Sequence, residues 1–251
     1  MFRYFFVREI KEKYLGNLTG ISWVFIQPII TLTIYWLVFD KIFGAKIPEA
    51  QDIGFIVYLA IGLWPWMAFS ESIIRSIMVV SEKDSLIGKV KIDFKIPVIA
   101  SISANFMLSI IGYVIVLSGL VIFADTFNYS RIFLVIIPVL QMYVFAIAIG
   151  LLLSSLQIFI RDIHQFMATM ITLWFFLTPI IYSETFLPES YRNIIKYNPM
   201  YTPITFIHKA LITKEPLPWV NMGILTVCIL IFLYFSIKIF DKLSPNFEAF
   251  K

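Results

Sequence analysis

The side chains that could carry catalytic or metal chemistry are few in this chain. It holds two histidines, His164 and His208, and a single cysteine, Cys228, and neither histidine is followed by a carboxylate at ligand spacing. Acid–base catalysis and metal centres both need several such groups together. The only Gly-Lys pair, Gly88-Lys89, lacks the earlier glycine of a phosphate-binding loop. We therefore expect no metal site, no catalytic site and no nucleotide site on this chain.

The tryptophans Trp64 and Trp66 stand out among the aromatic residues, which make up 17% of the sequence. With Pro65 between them, they lie near the middle of an uncharged run, where the proline leaves a backbone carbonyl without its helical donor. Flat, amphipathic rings that face a pathway could let a sugar slide along them, and packing against neighbouring helices is the alternative. On the first interpretation the pathway residues are Tyr58, Trp64, Trp66, Phe69 and Trp174.

Polar side chains inside apolar runs are costly in a membrane and call for an explanation. Glu71 stands one helical turn before Arg75, so we expect the two to form an ion pair, with contact to a substrate as the alternative. A buried amide needs a partner in any protein, so we expect hydrogen bonds between helices, rather than contact with a ligand, for Asn105, Gln141 and Gln157.

The elements that must position these residues are membrane spans. Of the 251 residues, 60% are hydrophobic and 14% are charged, and the mean hydropathy is +0.87. Soluble proteins average about 45–50% apolar and about 25% charged residues. Six uncharged runs each approach or exceed the roughly 20 residues that a helix needs to cross a bilayer. They cover residues 14–39, 53–70, 96–124, 132–160, 163–183 and 216–237.

The predicted fold is an all-α membrane protein with six transmembrane helices in a single domain over residues 1–251. The loops are too short for a separate soluble domain. With the amino terminus inside, 13 of the 20 Lys and Arg residues lie on the inner side, which favours cytoplasmic termini at both ends. The formal charge of +4 is better explained by this orientation than by nucleic-acid binding.

Three segments outside the runs have a pattern of their own. Residues 1–14 carry apolar side chains at four-residue spacing, which predicts an interfacial helix; a plain extension of the first span is the alternative. The cytoplasmic loop 75–95 contains Ser81, which could cap a short helix on which a partner docks, or the loop could be a solvated turn.

The outer segment 184–215 is rich in proline and in apolar residues. Prolines start helices well and break helix interiors, so we expect two short helices at 188–197 and 203–213. These helices would dip into the outer leaflet and return, with an ordinary external loop as the alternative.

Ordered motifs run across most of the chain. An early block contains Gly62-Leu63-Trp64-Pro65-Trp66, Ser70-Glu71-Ser72 and Leu86-Ile87, and Arg161-Asp162, Thr178-Pro179-Ile180-Ile181-Tyr182, Leu187-Pro188-Glu189 and Asn198-Pro199 follow it. Together these motifs resemble those of the membrane subunits of ABC-type polysaccharide exporters. Two positions depart from the family pattern: His208 stands where an Arg is common, and Phe94-Lys95-Ile96-Pro97 replaces an aromatic-Pro pair.

The resemblance implies a non-enzymatic permease in the bacterial inner membrane that forms a homodimer and binds two ATPase subunits, which hold ATP and Mg²⁺. The cargo would be a polysaccharide on a polyprenyl diphosphate, such as O-antigen in lipopolysaccharide biosynthesis, capsule or teichoic acid. The implied roles are ATPase coupling by Ser81, Glu82, Lys83, Asp84, Ser85 and Leu86, an inner turn at Arg161 and Asp162, and an outer gate with Pro188, Asn198, Pro199 and Pro203. An ABC-type drug or lipid efflux permease and a membrane-embedded transferase are the alternatives.

Single-cysteine labelling tests the predicted orientation. In a Cys228→Ala background, a membrane-impermeant thiol reagent added to intact cells should label Ser190→Cys, and it should label Ser85→Cys only after the membrane is opened. The Cys228→Ala parent controls for background labelling. The opposite pattern would contradict both the coupling and the gate assignments.

Overall fold

A computed structural model describes residues 1–14, 22–44, 47–48, 54–82, 93–123, 128–213 and 215–250. The described elements are helical, and nine α-helices are distinguished in chain order. They are α1 (Phe2–Tyr14), α2 (Trp23–Tyr35, continued as a π-helical turn over Trp36–Ile42), α3 (Phe55–Glu82), α4 (Lys95–Phe123), α5 (Ile136–Gln157), α6 (Ile163–Phe176), α7 (Glu189–Ile195), α8 (Tyr201–Leu211) and α9 (Trp219–Leu243). Short 3₁₀ turns occupy Tyr129–Val135, Glu184–Phe186 and Ser244–Phe250.

Five of the described helical stretches are long and apolar enough to cross a membrane. They lie at the first, second, third, fourth and sixth predicted runs. The fifth run forms α6, which has 14 residues and spans about 21 Å. It ends before Thr178-Pro179, because a residue that precedes proline disfavours helical geometry. The all-helical membrane fold is confirmed, whereas the count of six spans stays a prediction.

Helix α3 is the axis around which the other helices pack. Twenty of its 28 residues are buried, and it contacts α2, α4, α5, α6 and α8. By contrast, α9 packs against α5 through a narrow stripe of four buried residues, Met222, Ile229, Ser236 and Phe240. A helix that is buried around most of its circumference lies at the centre of a bundle, whereas α9 leaves most of its apolar surface exposed, which suits a lipid-facing edge.

The predicted cytoplasmic loop 75–95 begins within a helix, because α3 continues to Glu82. The Ser81 hydroxyl donates to the Met78 carbonyl oxygen within the same helix at 2.9 Å, and the residues that Ser81 would cap lie outside the described part of the chain. Charged residues mark the end of an apolar run, but a helix can continue through them. The 28 residues of α3 extend over about 42 Å, which is longer than the roughly 30 Å thickness of a bilayer core. Lys83, Asp84, Ser85 and Leu86 of the predicted coupling segment lie outside the described residues.

Ion pairs gather α1, the end of α3, the start of α4 and the end of α9 at one end of the bundle. Arg75 pairs with Glu9 of α1, and the Lys95 ammonium lies 2.6 Å from the Asp241 carboxylate of α9. The amino-terminal helix α1 and the carboxyl-terminal end of α9 therefore lie at the same end of the bundle, as expected if both termini are on one side of the membrane. The predicted assignment of that side to the cytoplasm, and of α1 to the membrane interface, stays a prediction.

Close contact between α3 and α4 depends on Gly112. A Cβ at Gly112 would lie 2.9 Å from Nε1 and 3.3 Å from Cε2 of the buried Trp64 ring, whereas a Cβ at Gly119 of the same helix would meet nothing within 4 Å. An indole ring is rigid and cannot give way as a flexible chain end does.

We predict that Gly112→Ala destabilises the detergent-solubilised protein by about 1–3 kcal/mol, the usual cost of overpacking a core. Thermal unfolding measures the effect. Gly119→Ala is the matched control and should unfold at or above the wild-type temperature, because alanine favours a helix over glycine. Equal behaviour of the two variants would contradict the close approach of α3 and α4 at Trp64.

Candidate functional site

Three of the five predicted pathway aromatics meet in one cluster. Ring centroids of Trp66 and Phe69 lie 6.0 Å and 5.5 Å from that of Trp174, both edge to face. Phe145 and Phe175 complete the cluster. Trp66 is 4% exposed and Phe69 is fully buried, so packing within the subunit accounts for both. A role of these residues in a pathway stays a prediction.

Trp64 and Tyr58 belong to other surroundings. Trp64 is 1% exposed and packs beside Tyr113 of α4, and its indole N–H is buried without an acceptor among the described residues. The Tyr113 hydroxyl donates at 3.1 Å to the Ile61 carbonyl oxygen, which Pro65 leaves without its helical donor. Tyr58 stacks on His208 at 4.0 Å between ring centroids. The five aromatics therefore do not form one continuous surface in the subunit.

A cavity of about 770 Å³ opens between α1, α2, α3, α4 and α6, toward the end where Arg75 lies; we call it the inner cavity. Its polar lining includes Gln27, Ser70, Glu71, Arg75, Asn105 and His164. The sequence drew attention to Glu71 and Asn105 singly, but it gave no signal that Gln27 and His164 join them. Their helices are adjacent only in the folded subunit.

The expected ion pair between Glu71 and Arg75 is wrong. Arg75 instead binds Glu9 of α1 at 3.2 Å and Glu82 at 2.6 Å, and Glu9 also accepts a hydrogen bond from Ser101 of α4. The Glu9 side chain is 3% exposed. Glu71 accepts a hydrogen bond from Gln27 of α2 at 3.3 Å. Arg75 thus joins α1 to the end of α3 that precedes the predicted coupling segment.

The three predicted interhelical amides behave differently. Gln141 donates to the Met222 carbonyl and the Thr226 hydroxyl of α9, which confirms its prediction. Asn105 donates to the Ser101 carbonyl of its own helix.

Gln157 closes the inner turn between α5 and α6. Its amide N–H donates to the Arg161 carbonyl at 2.8 Å, and its amide oxygen accepts from the His164 backbone N–H at 2.9 Å. The predicted turn residues Arg161 and Asp162 lie between the two helices. Gln157 of α5 holds the backbone of this turn, and both charged residues remain exposed.

Asn198 is the centre of the outer segment. Its amide oxygen accepts from the Trp174 indole at 2.7 Å and from the Met200 backbone N–H at 2.9 Å. Its amide nitrogen donates to the Leu177 carbonyl at 3.1 Å and to the Thr178 hydroxyl at 2.9 Å. All four hydrogen-bonding positions of the side chain are used. Asn198 therefore ties the link between the two short helices to the end of α6.

Prolines lie at or near the boundaries of the two short helices in the outer segment. Pro188 precedes α7, Pro199 lies in the link, and Pro203 stands in the first turn of α8. The Tyr201 hydroxyl donates to the Glu184 carboxylate, and burial together with this bond raises the pKa of Tyr201. The helices are present at the expected places. Their depth in a membrane, and their action as a gate, stay predictions.

His208 is buried where α8 crosses α3. Its Nε2 lies 3.1 Å from the Tyr58 carbonyl oxygen, and a Cβ at Gly62 would come within 2.8 Å of the same nitrogen. Burial lowers the pKa of His208 to about 3, so the ring is neutral at physiological pH. Because His208 is neutral, α8 and α3 can approach closely here. An arginine at this position would place a permanent charge in the same buried space.

Comparison with known proteins gives a family match and several relatives. A family model described as ABC-2 type transporter matches residues 1–212. The O-antigen export system permease protein RfbA of Myxococcus xanthus is 26% identical over 250 residues, which cover 96% of this chain and 91% of the relative. RfbA of Klebsiella pneumoniae is 23% identical, covering 96% and 90%. The polysialic acid transport protein KpsM of Escherichia coli is 18% identical, covering 94% and 90%.

We predict that Asn198→Ala destabilises the protein by about 1–3 kcal/mol, because partially buried donors and acceptors lose their partner. The measurement is thermal unfolding in detergent. The control is Asn193→Ala in the exposed side of α7, which should change the unfolding temperature little. Equal unfolding temperatures for the two variants would remove Asn198 as the anchor of the outer segment.

Proposed function

Because the chain belongs to the ABC-2 type transporter family, we propose that it is the permease subunit of an exporter that carries a lipid-linked polysaccharide, such as O-antigen, across the cytoplasmic membrane. The observation that carries this proposal is the match to O-antigen export permeases at 23–26% identity over nearly the whole length of both chains. The multi-pass helical fold agrees with such a role.

Energy for export would come from a separate ATPase subunit that holds ATP and Mg²⁺. The family implies an ABC ATPase as partner, and the sequence of this chain contains no phosphate-binding loop of the Gly-x₄-Gly-Lys-Ser/Thr kind. We infer that the ATPase docks on the predicted coupling segment 81–86, whose first two residues, Ser81 and Glu82, end α3. Through Arg75, Glu82 is connected to Glu9, so movement of this docking segment would also act on α1.

A second copy of the chain would complete the conduit. The inner cavity is bordered by α2 and α6, and both helices expose large apolar side chains on their free faces. They include Ile30 and Ile34 of α2 and Phe166 and Leu173 of α6. A second subunit against these faces would turn an open cleft into an enclosed path, and apolar helix faces are suited to close packing in a membrane.

Genetic replacement tests the proposed function. Deletion of the gene in its host should abolish polysaccharide at the cell surface while lipid-linked polymer accumulates inside the cell. The wild-type gene and the exposed-site control Cys228→Ala should both restore export, whereas neither should do so when the phosphate-loop lysine of the partner ATPase is replaced. Unchanged surface polysaccharide, with a loss of drug or lipid efflux, would overturn the proposal in favour of an efflux permease.

A further inference from the structure

The short 3₁₀ segment that follows α9 carries a deeply buried aromatic ring. Within Ser244–Phe250, the Phe247 side chain is 1% exposed, whereas its neighbours Pro245 and Asn246 are exposed. A ring of this size is covered so completely only where several elements close around it. The position of Phe247 therefore depends on more than its own segment.

Three elements close around Phe247. Its ring centroid lies 5.7 Å from that of Phe240 in α9, 6.3 Å from that of Phe94 just before α4, and 6.1 Å from that of Phe159 just after α5. The contacts with Phe240 and Phe94 are edge to face, a preferred arrangement of aromatic rings. Phe247 thus contacts both the far end of the predicted cytoplasmic loop 75–95 and the residues that lead into the inner turn.

An ion pair repeats this connection at the next residue of the loop. The Lys95 ammonium lies 2.6 Å from the Asp241 carboxylate of α9 and 3.5 Å from that of Asp93. Both carboxylates are half exposed, so these pairs orient the chain more than they stabilise it. Phe94 and Lys95 belong to the block Phe94-Lys95-Ile96-Pro97, which departs from the pattern of the family, and both bind the end of α9 or the segment after it.

The predicted coupling segment therefore lies between two anchored points. Before it, Glu82 binds Arg75, and after it, Phe94 and Lys95 bind the end of α9 and the turn that follows. Closely packed side chains have low compressibility and transmit a displacement. A loop end without such packing would absorb the same displacement as local bending.

We propose that Phe247 is a positioning residue for energy coupling. By packing on Phe94 and Phe159, it makes the end of the cytoplasmic loop, the inner turn and α9 move together when the ATPase changes shape. This inference rests on the proposed function and adds to it the route by which movement of the ATPase reaches α9.

The test compares export with ATP hydrolysis in Phe247→Ala at equal amounts of permease. Without the ring, the ATPase should still bind and hydrolyse ATP at close to the wild-type rate in the purified complex, but its movement should be absorbed within the loop. We expect surface polysaccharide per permease to fall about tenfold, which corresponds to about 1.4 kcal/mol, the order of one aromatic contact. A purely structural role would lower the amount of permease and its unfolding temperature without separating export from hydrolysis.

Phe106→Ala is the matched control for loss of a buried ring. Phe106 is 5% exposed and packs on Tyr143 of α5, about 16 Å along α4 from Lys95. It should lower the unfolding temperature as Phe247→Ala does, while export per permease stays at the wild-type level.

Phe94→Ala removes the same contact from its other side. Phe94 is only partly buried, so this variant also serves if Phe247→Ala does not accumulate. It should show the same separation of export from hydrolysis. The double variant should export no less than either single variant, because residues that act through one contact are not additive.

Two results would overturn the inference. Unchanged export per permease in either Phe247→Ala or Phe94→Ala would show that coupling does not need the contact. Export and hydrolysis that fall together would show that the ring serves ATPase binding or folding instead. Surface polysaccharide that does not depend on this chain at all would overturn the proposed function, so the two failures are distinguishable.

Discussion

The structure depends on one constraint: a polar group inside the bilayer must find its partner within the protein. In helix α3 this constraint applies to the backbone carbonyl of Ile61, which Pro65 leaves without its helical donor. Tyr113 of α4 supplies the missing hydrogen bond, and Gly112 on the same helix leaves room for Trp64. The proline, the hydroxyl and the glycine therefore act together to fix α4 against α3, and the remaining helices pack around this pair.

The same constraint governs the charged residues at the end of the bundle where Arg75 lies. Arg75 lies in α3 and is compensated by Glu9, which belongs to α1, and by Glu82, the last residue of α3. Removing one partner of a buried charge pair is far more costly than the net contribution of the pair, so this contact holds α1 in place firmly. It also provides a mechanical connection between the predicted ATPase-docking segment and the wall of the inner cavity, which Arg75 and Glu82 both line.

At the opposite end, around Asn198, neutral hydrogen bonds take the place of ion pairs. Asn198 uses all its donors and acceptors to join the short helices to α6, and Trp174 connects this anchor to the aromatic cluster around Phe69. His208 is neutral in its buried position and seats α8 on α3. Nine of the eleven residues of α8 are buried, so side-chain packing as well as these hydrogen bonds holds this helix against the bundle.

The sequence by itself determined the features that depend on local chemistry. Long apolar runs predicted the spanning helices, prolines predicted the positions of α7 and α8, and Pro65 predicted a carbonyl in need of a donor. The tertiary structure alone decided which partners meet: Glu9 rather than Glu71 for Arg75, Tyr113 for Ile61, and Gln27 beside Glu71 in one cavity. Hydropathy and proline geometry act within a few residues of the chain, whereas ion pairs, aromatic clusters and cavities arise between helices whose adjacency is set by packing of the whole bundle.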